Sequence, residues 1–218
     1  MTDRLRLRIS PCPNDTFMFE ALLNGRIPTQ GLAFEVGFQD IEELNEGVSS
    51  PDGPDISKIS YAVLPAVVDR TPVLFSEIAA AVERGAFDAG VLIHEGRFTY
   101  ERHNLELVAD LGALWEQQTG LPLPLGGIVA SRELPAEVRR TFDRVLHDSI
   151  AYALEHPTVS RPFVREHARE LDDEVIDRHI ALFVNRYSLA LGEEGRRAVR
   201  ELTGLPDLRL GWEPLHGS

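Results

Sequence analysis

The order of strand-type and helix-type patterns in the first 62 residues constrains the fold more than any other feature. Leu5, Leu7 and Ile9 alternate with arginines, which is the period of a half-buried strand. The predicted elements are, in order, a strand at 5–9, a helix at 17–23 that Asp15 or Thr16 caps and Gly25 ends, a strand at 32–38, a short helix at 40–45 and a buried strand at 55–62. This β-α-β-α-β order is typical of an α/β layer with a largely parallel sheet.

A second α/β unit is predicted from residue 76 onward. Its elements are a helix at 78–82 that Gly85 ends, strands at 88–93 and 105–111, a hinge rich in proline and glycine at 121–127, and a strand at 128–130. Helices predicted at 133–155, 172–187 and 192–202 complete the chain. We therefore predict two lobes: residues 1–66 and 131–218 form the first, with its C-terminal helices, and residues 67–130 form the second. Ligands of such folds bind where the carboxyl ends of strands meet loops.

The charge of the chain argues against nucleic-acid and membrane-surface partners. It carries 22 Lys and Arg residues against 35 Asp and Glu residues, a formal net charge of −13. Binding to phosphate backbones or anionic lipids depends on clustered cations.

Cys12 is the single cysteine, so neither an intramolecular disulfide nor a cysteine-rich metal site is expected. The sequence shows no secretory-signal pattern and no apolar run long enough to span a bilayer, so we predict a cytoplasmic location.

Two of the predicted strand ends carry the strongest candidates for catalytic and ligand-binding residues. His94 directly follows an apolar strand, where a histidine suits proton abstraction near neutral pH; the alternative is a structural histidine. Lys58 is the single lysine among 22 basic residues, which suggests that an ammonium is required there, although chance explains it equally well. Lys58 and Ser60 project from the same strand face and suit a carboxylate ligand. Otherwise Lys58 lies at a sheet edge and Ser60 bonds to backbone.

Other polar residues near these strand ends leave alternatives open. Asn14 and Asp15 precede a predicted helix start, which favours anions, but plain capping is the better interpretation for Asp15. Arg97 meets a substrate carboxylate or pairs with a nearby acid, with equal weight on each. His179 lies near the apolar stripe of its helix and is interpreted as a packing residue with its hydrogen bonds satisfied. The sequence contains no metal-ligand spacing, no P-loop and no GxGxxG motif.

Several long stretches resemble one enzyme family, the 1,4-dihydroxy-6-naphthoate synthases of the futalosine pathway of menaquinone biosynthesis. They occur in the order that the family has, and their length makes coincidence very improbable. The matching stretches are SPCPNDTFMFEAL (10–22), DISKISYA (55–62), GVLIHEGRFTY (90–100), DLGALWEQQTGLPLPLGGIVASREL (110–134) and DDEVIDRHIALFVNRYSLALGEEG (172–195).

The resemblance implies a two-lobed periplasmic-binding-protein-like (type II) α/β fold that acts in the cytoplasm. It also implies a lyase that needs no cofactor. The substrate would be cyclic dehypoxanthinyl futalosine, from which a base removes a proton and the sugar-derived part leaves as a small dihydroxyketone. The family's base corresponds to His94, and its substrate-contacting stretch corresponds to Lys58, Ile59 and Ser60. The implied partner is a small aromatic carboxylate, and the oligomeric state is left open.

The chain departs from the family pattern between the stretch at 55–62, which contains Lys58, and the stretch at 90–100, which contains His94. Family members continue there through a glycine-rich segment, a crossover strand and a βα unit whose paired threonines bind substrate. Here residues 67–73 run almost directly into the His94 unit, so roughly 50 to 60 residues are missing, about one supersecondary unit or more. The second lobe is therefore predicted to be shortened and to leave an exposed strand edge. Either the chain is an internally deleted relative or the sequence is incomplete.

Two alternatives to the lyase follow from the same residues. A shortened chain of this architecture could bind an aromatic carboxylate in the cytoplasm without converting it. Chorismate dehydratase, an enzyme of the same pathway, shares the fold, but the IHEGRFTY stretch at 93–100 goes with the synthase.

Overall fold

A computed structural model describes residues 4–48, 50, 52–61, 78–93, 96–168 and 172–204. Its centre is one mixed four-stranded sheet. The strands are β1 (Leu5–Ile9), β2 (Phe34–Phe38), β3 (Ile56–Ser60) and β4 (Gly126–Ala130), in the spatial order β2-β1-β3-β4. β1 runs parallel to both β2 and β3, whereas β4 pairs antiparallel with β3. The predicted α/β class and the largely parallel N-terminal sheet are confirmed.

Helices and short helical turns make up the rest of the described structure. They are α1 (Pro13–Leu23), α2 (Ile41–Gly47), α3 (Ile78–Glu83), α4 (Gly96–Thr99), a 3₁₀ turn (Tyr100–His103), α5 (Leu111–Thr119), α6 (Ala136–Glu155), α7 (Pro157–His167), α8 (Asp173–Phe183), α9 (Arg186–Leu189) and α10 (Gly192–Thr203). The predicted helices at 40–45, 78–82, 133–155 and 192–202 are confirmed. In the described parts of the chain, every helix is too short or too polar to cross a membrane.

Helix α1 lies at the centre of the core. Its residues from Pro13 to Leu22 are all buried, and it packs against α6, α7 and α8. Side chains from β1, β3 and these helices form one apolar cluster with it, which includes Leu7, Ile9 and Ile56. A helix buried on all sides places even its polar side chains inside the protein, and this determines the character of the site described below.

The start of α1 differs from the prediction. The sequence predicts a helix at 17–23 with Asp15 or Thr16 as its cap, but the helix already begins at Pro13. Proline is well tolerated in the first helical turn, because the N–H group that it lacks has no intrahelical partner there. Asp15 consequently lies inside the first turn and does not cap the helix; the N-cap residue is Cys12.

The predicted second lobe contains no sheet of its own among the described residues of 67–125. Segments 88–93 and 105–110 are irregular, and residue 111 opens a helix, so both predicted strands are wrong. The strand predicted at 128–130 does form, but as β4 it pairs with β3 of the first lobe's sheet. A strand needs a hydrogen-bonded neighbour, and neither segment has one in the described structure. In the described structure β4 pairs with β3 alone and forms one edge of the sheet, so the exposed strand edge stays a prediction.

Exposed apolar side chains mark this part of the chain instead. Phe87 is 46% exposed, Leu107 is 61% exposed and Val108 is 90% exposed. Others in the same segment are Val91, Ile93, Leu111, Leu114 and Leu125. Among the described residues this is a concentration of exposed apolar side chains, and such surfaces are typical of places where another element, ligand or protein binds.

Candidate functional site

Lys58 lies on β3 and points toward the start of α1. Its side chain is 15% exposed, and its Nζ lies 2.7 Å from Asp15 Oδ1. Adjacent residues of a strand face opposite sides of the sheet, so Lys58 and Ser60 share one face and Ile59 occupies the other. Ile59 is 3% exposed. The shared face predicted for Lys58 and Ser60 is present, and Ile59 lies on the opposite face. The carboxylate ligand predicted for the pair stays a prediction.

Asp15 is the centre of a buried polar cluster, which also contains Ser10, Asn14 and Lys58. Its side chain is fully buried. Oδ2 accepts hydrogen bonds from Ser10 Oγ at 2.6 Å and from the Ser10 backbone N–H at 3.1 Å. Oδ1 accepts from Asn14 Nδ2 at 2.8 Å and from Lys58. Four donors surround the two oxygens, which is the environment of an ionised carboxylate. Capping, the role predicted for Asp15, is not its role here.

The topology explains why residues this far apart in the sequence meet. β1 and β3 are parallel neighbours, so their carboxyl ends lie at the same edge of the sheet. Ser10 directly follows β1, and the short turn at 11–12 places Asp15 within the first turn of α1. The buried cluster therefore lies at a strand-end edge, where α/β proteins bind their ligands.

Asn14 links this cluster to a helix from the C-terminal part of the chain. Its Oδ1 lies 2.9 Å from Nε2 of His179 on α8. His179 is 1% exposed, and its ring lies 4.6 Å from the ring of Phe183. The interpretation of His179 as a packing residue with satisfied hydrogen bonds did not identify Asn14 as its partner. The signal available in the sequence was a histidine on an apolar helix face, which does not say what the ring contacts.

Ser60 and Tyr61 continue the site beyond Lys58. The Ser60 backbone N–H donates to Asn45 Oδ1 of α2 at 3.0 Å, and Ser60 Oγ donates to the carbonyl oxygen of Leu125 at 3.4 Å. Burial raises the pKa of the Tyr61 phenol above its ordinary value. Tyr61 packs against β4 where that strand carries Gly127, and a Cβ on this glycine would lie 2.6 Å from the phenol oxygen. The sequence predicts residues 121–127 as a hinge. In the structure Gly127, which has no side chain, leaves room for the Tyr61 ring.

Gly127→Ala should lower the free energy of unfolding by about 1–3 kcal/mol, because the added methyl group overlaps the Tyr61 ring. Urea unfolding measures this loss. Adding Tyr61→Phe should recover part of it, since the phenol oxygen is the nearest atom. Gly47→Ala is the matched control: its Cβ would meet nothing closer than Pro54 Cδ at 3.9 Å, so stability should hold or rise slightly. Equal losses for Gly127→Ala and Gly47→Ala would contradict this interpretation.

Arg97 pairs with an acid, one of the two roles left open for it. Its Nη2 lies 2.6 Å from Asp110 Oδ2. Asp110 caps α5, and hydrogen bonds from the Ala113 and Gly112 N–H groups, together with the Arg97 charge, hold the pKa of its carboxyl below the ordinary value. His94, the predicted base, lies outside the described residues.

The described cluster holds an ammonium, paired with a buried carboxylate, at the strand-end edge of the sheet. Lys58 uses one of its three N–H donors on Asp15 and is partly exposed, so its other donors can reach a ligand. No group of three potential metal-binding side chains occurs among the described residues.

Comparison with known proteins identifies relatives along most of the chain. The family model described as menaquinone biosynthesis matches residues 5–76 and 68–206. A 1,4-dihydroxy-6-naphthoate synthase from Thermus thermophilus is 38% identical over 92% of this chain and 93% of its own length. The synthase of the same name from Streptomyces coelicolor is 36% identical over 92% of both chains.

Two solved structures resemble the fold. A crystal structure of a protein from Archaeoglobus fulgidus has a TM-score of 0.83 at 26% identity, covering 92% of this chain and 96% of that one. A Candida albicans protein, described as having the generic periplasmic binding protein fold, has a TM-score of 0.53 at 11% identity and covers 94% of this chain and 92% of that one. The predicted periplasmic-binding-protein-like fold is thereby confirmed.

The same comparison indicates the predicted internal gap. The alignment with the Thermus protein runs over 254 positions, whereas the matched 92% of this chain is about 200 of its 218 residues. About 50 positions of that relative therefore have no counterpart here. The two family-model matches meet at residues 68–76, next to the place where the sequence departs from the pattern.

Proposed function

The chain belongs to the menaquinone biosynthesis family, and we propose on that basis that it is a 1,4-dihydroxy-6-naphthoate synthase. In this proposal it is a lyase that acts on cyclic dehypoxanthinyl futalosine and releases the sugar-derived fragment and the naphthoate. The observation that carries the proposal is the 36–38% identity to two synthases over more than nine-tenths of every chain involved.

The buried cluster supports a substrate that carries a carboxylate. Lys58 is held at the strand-end edge by a fully buried Asp15, so its ammonium has a defined position before any ligand arrives. A preorganised charge of this kind orients a ligand without the entropy cost of ordering a mobile side chain. In the proposal Lys58 and Ser60 hold the carboxylate or hydroxyl groups of the substrate. Asn14, Ile59 and Arg97 remain predicted contacts.

His94 is the proposed general base. A proton removed from the substrate starts the loss of the sugar-derived fragment, and formation of the aromatic naphthoate provides driving force. Acid–base catalysis and substrate positioning are sufficient for a reaction of this type. The proposal includes a small-molecule partner and a cytoplasmic location.

The missing positions favour one competing candidate, a binding module that does not turn over its ligand. The unit absent here is the one to which the resemblance assigns substrate-binding threonines. A chain that keeps Lys58 but lacks those groups could retain affinity for an aromatic carboxylate and lose the alignment that the reaction requires.

One assay distinguishes the two candidates. The purified chain is incubated with cyclic dehypoxanthinyl futalosine, product is followed by absorbance and mass spectrometry, and binding is measured in parallel by calorimetry. We expect naphthoate in proportion to enzyme and time. Binding without product would support the non-catalytic binding module and refute the proposed synthase function. The Thermus synthase serves as the positive control.

A further inference from the structure

We propose that His179 is a positioning residue for Lys58 and acts through Asn14 and Asp15. Four side chains form a continuous hydrogen-bonded relay from α8 to β3: His179 Nε2 to Asn14 Oδ1 at 2.9 Å, Asn14 Nδ2 to Asp15 Oδ1 at 2.8 Å, and Lys58 Nζ to the same oxygen at 2.7 Å. As a statement about catalysis, the proposal rests on the synthase function. The hydrogen-bonded relay itself does not depend on the synthase function.

The direction of every hydrogen bond in the relay follows from Asp15. A carboxylate only accepts, so the Asn14 group that faces Asp15 must be its NH₂. The carbonyl oxygen of Asn14 then faces His179 and also only accepts. His179 Nε2 must therefore carry a hydrogen. The geometry thus assigns the tautomer of a buried histidine, with a ring nitrogen as the donor at the end of the relay.

Asn14 limits where Lys58 can lie. Asp15 Oδ2 is occupied by the side chain and backbone of Ser10, and Asn14 donates to Oδ1. Each carboxylate oxygen accepts through two lone-pair directions, so the Asn14 bond leaves one direction on Oδ1 for the ammonium. If Asn14 turned away, Lys58 would have several arrangements of similar energy around the carboxylate.

His179 is what prevents Asn14 from turning. Asn14 is 8% exposed and His179 is 1% exposed, so bulk water offers the Asn14 carbonyl little alternative. An apolar side chain at 179 would leave a buried acceptor without its donor, and the amide would gain by rotating. A ring needed only for packing could be apolar, whereas the relay requires an N–H at this position.

The test compares two substitutions of His179. His179→Leu keeps an apolar side chain but removes the donor, and we expect the substrate KM to rise about tenfold while kcat changes less than about threefold. His179→Gln retains an amide N–H and should return KM to within about threefold of the wild-type value. His147→Leu, at an exposed histidine of α6, is the control and should change neither constant. Circular dichroism and thermal melting confirm that each variant is folded.

A double-mutant cycle separates positioning from general damage. In a Lys58→Met background the relay has no ammonium to place, so His179→Leu should produce no further rise in KM. The same rise in both backgrounds would overturn the proposal, as would a failure of folded His179→Gln to restore KM.

The relay can also be tested without turnover, which keeps this proposal distinguishable from the synthase proposal. Nitrogen-15 NMR of histidine-labelled protein without ligand should show His179 protonated at Nε2. An unprotonated Nε2 would overturn the relay even in an active enzyme. A protonated Nε2 in a protein that forms no naphthoate would leave the relay intact and refute the synthase.

Discussion

Replacing His94 with alanine should lower the rate of naphthoate formation at least about 1,000-fold. A positioned general base contributes roughly 10²–10⁴ to a rate, and in the proposed reaction proton removal starts the loss of the fragment. The histidine lies in the stretch that resembles the family's IHE-type motif, directly after an apolar segment. Initial rates at saturating substrate measure the effect, and binding of the substrate should persist because Lys58 is unchanged.

Two controls accompany the His94 variant. His147→Ala removes an exposed imidazole elsewhere and should leave kcat unchanged. Thermal melting of both variants shows whether the fold is retained. A folded His94→Ala protein that keeps more than about a tenth of wild-type activity would contradict the role of His94 as the base.

Asp15→Ala should have the largest effect on stability, a loss of about 3–5 kcal/mol in the free energy of unfolding. The substitution removes the acceptor of four hydrogen bonds and leaves the Lys58 ammonium, 15% exposed, without its counter-charge. Breaking one side of a buried ion pair costs more than the pair contributes, because the remaining charge stays desolvated. Urea unfolding followed by circular dichroism measures the loss.

The double variant Asp15→Ala with Lys58→Met identifies the cause. Removing both charges should recover a substantial part of the loss, since no unpaired ammonium remains. Glu35→Ala is the matched control, because it also deletes a carboxylate that is paired with a basic side chain, here Arg8. Glu35 is 59% exposed, so the loss in the free energy of unfolding should stay below about 1 kcal/mol. If Asp15→Ala and Glu35→Ala lowered the free energy of unfolding equally, the buried cluster would not have the importance assigned to it.

The N-terminal elements could be predicted because their signals are local. A period of two along residues 5–9 and 34–38 reflects strand geometry whatever surrounds it, and both strands formed. Segment 88–93 shows the limit of the same reasoning. An apolar run indicates a need for burial, but a strand also needs a partner, and about 50 positions of the Thermus relative have no counterpart in this chain.

The candidate site was predictable in part. Lys58 stood out through its composition alone, and its shared face with Ser60 followed from strand geometry. Asp15 was misjudged because a polar residue near a helix start usually caps that helix, and the burial of α1 on all sides could not be foreseen. His179 was recognised as buried, but its partner Asn14 lies 165 positions earlier in the chain.

By itself the sequence determined the α/β class, the family and the order of the N-terminal elements, because these depend on patterns along one segment at a time. The tertiary structure alone decided that Asp15 is the counter-ion of Lys58 and that His179 donates to Asn14. Those contacts join β3, α1 and α8, and the packing of these elements sets which atoms come within hydrogen-bonding distance. Residue periodicity carries no information about such distances, since it describes which side of an element faces inward and not what it meets there.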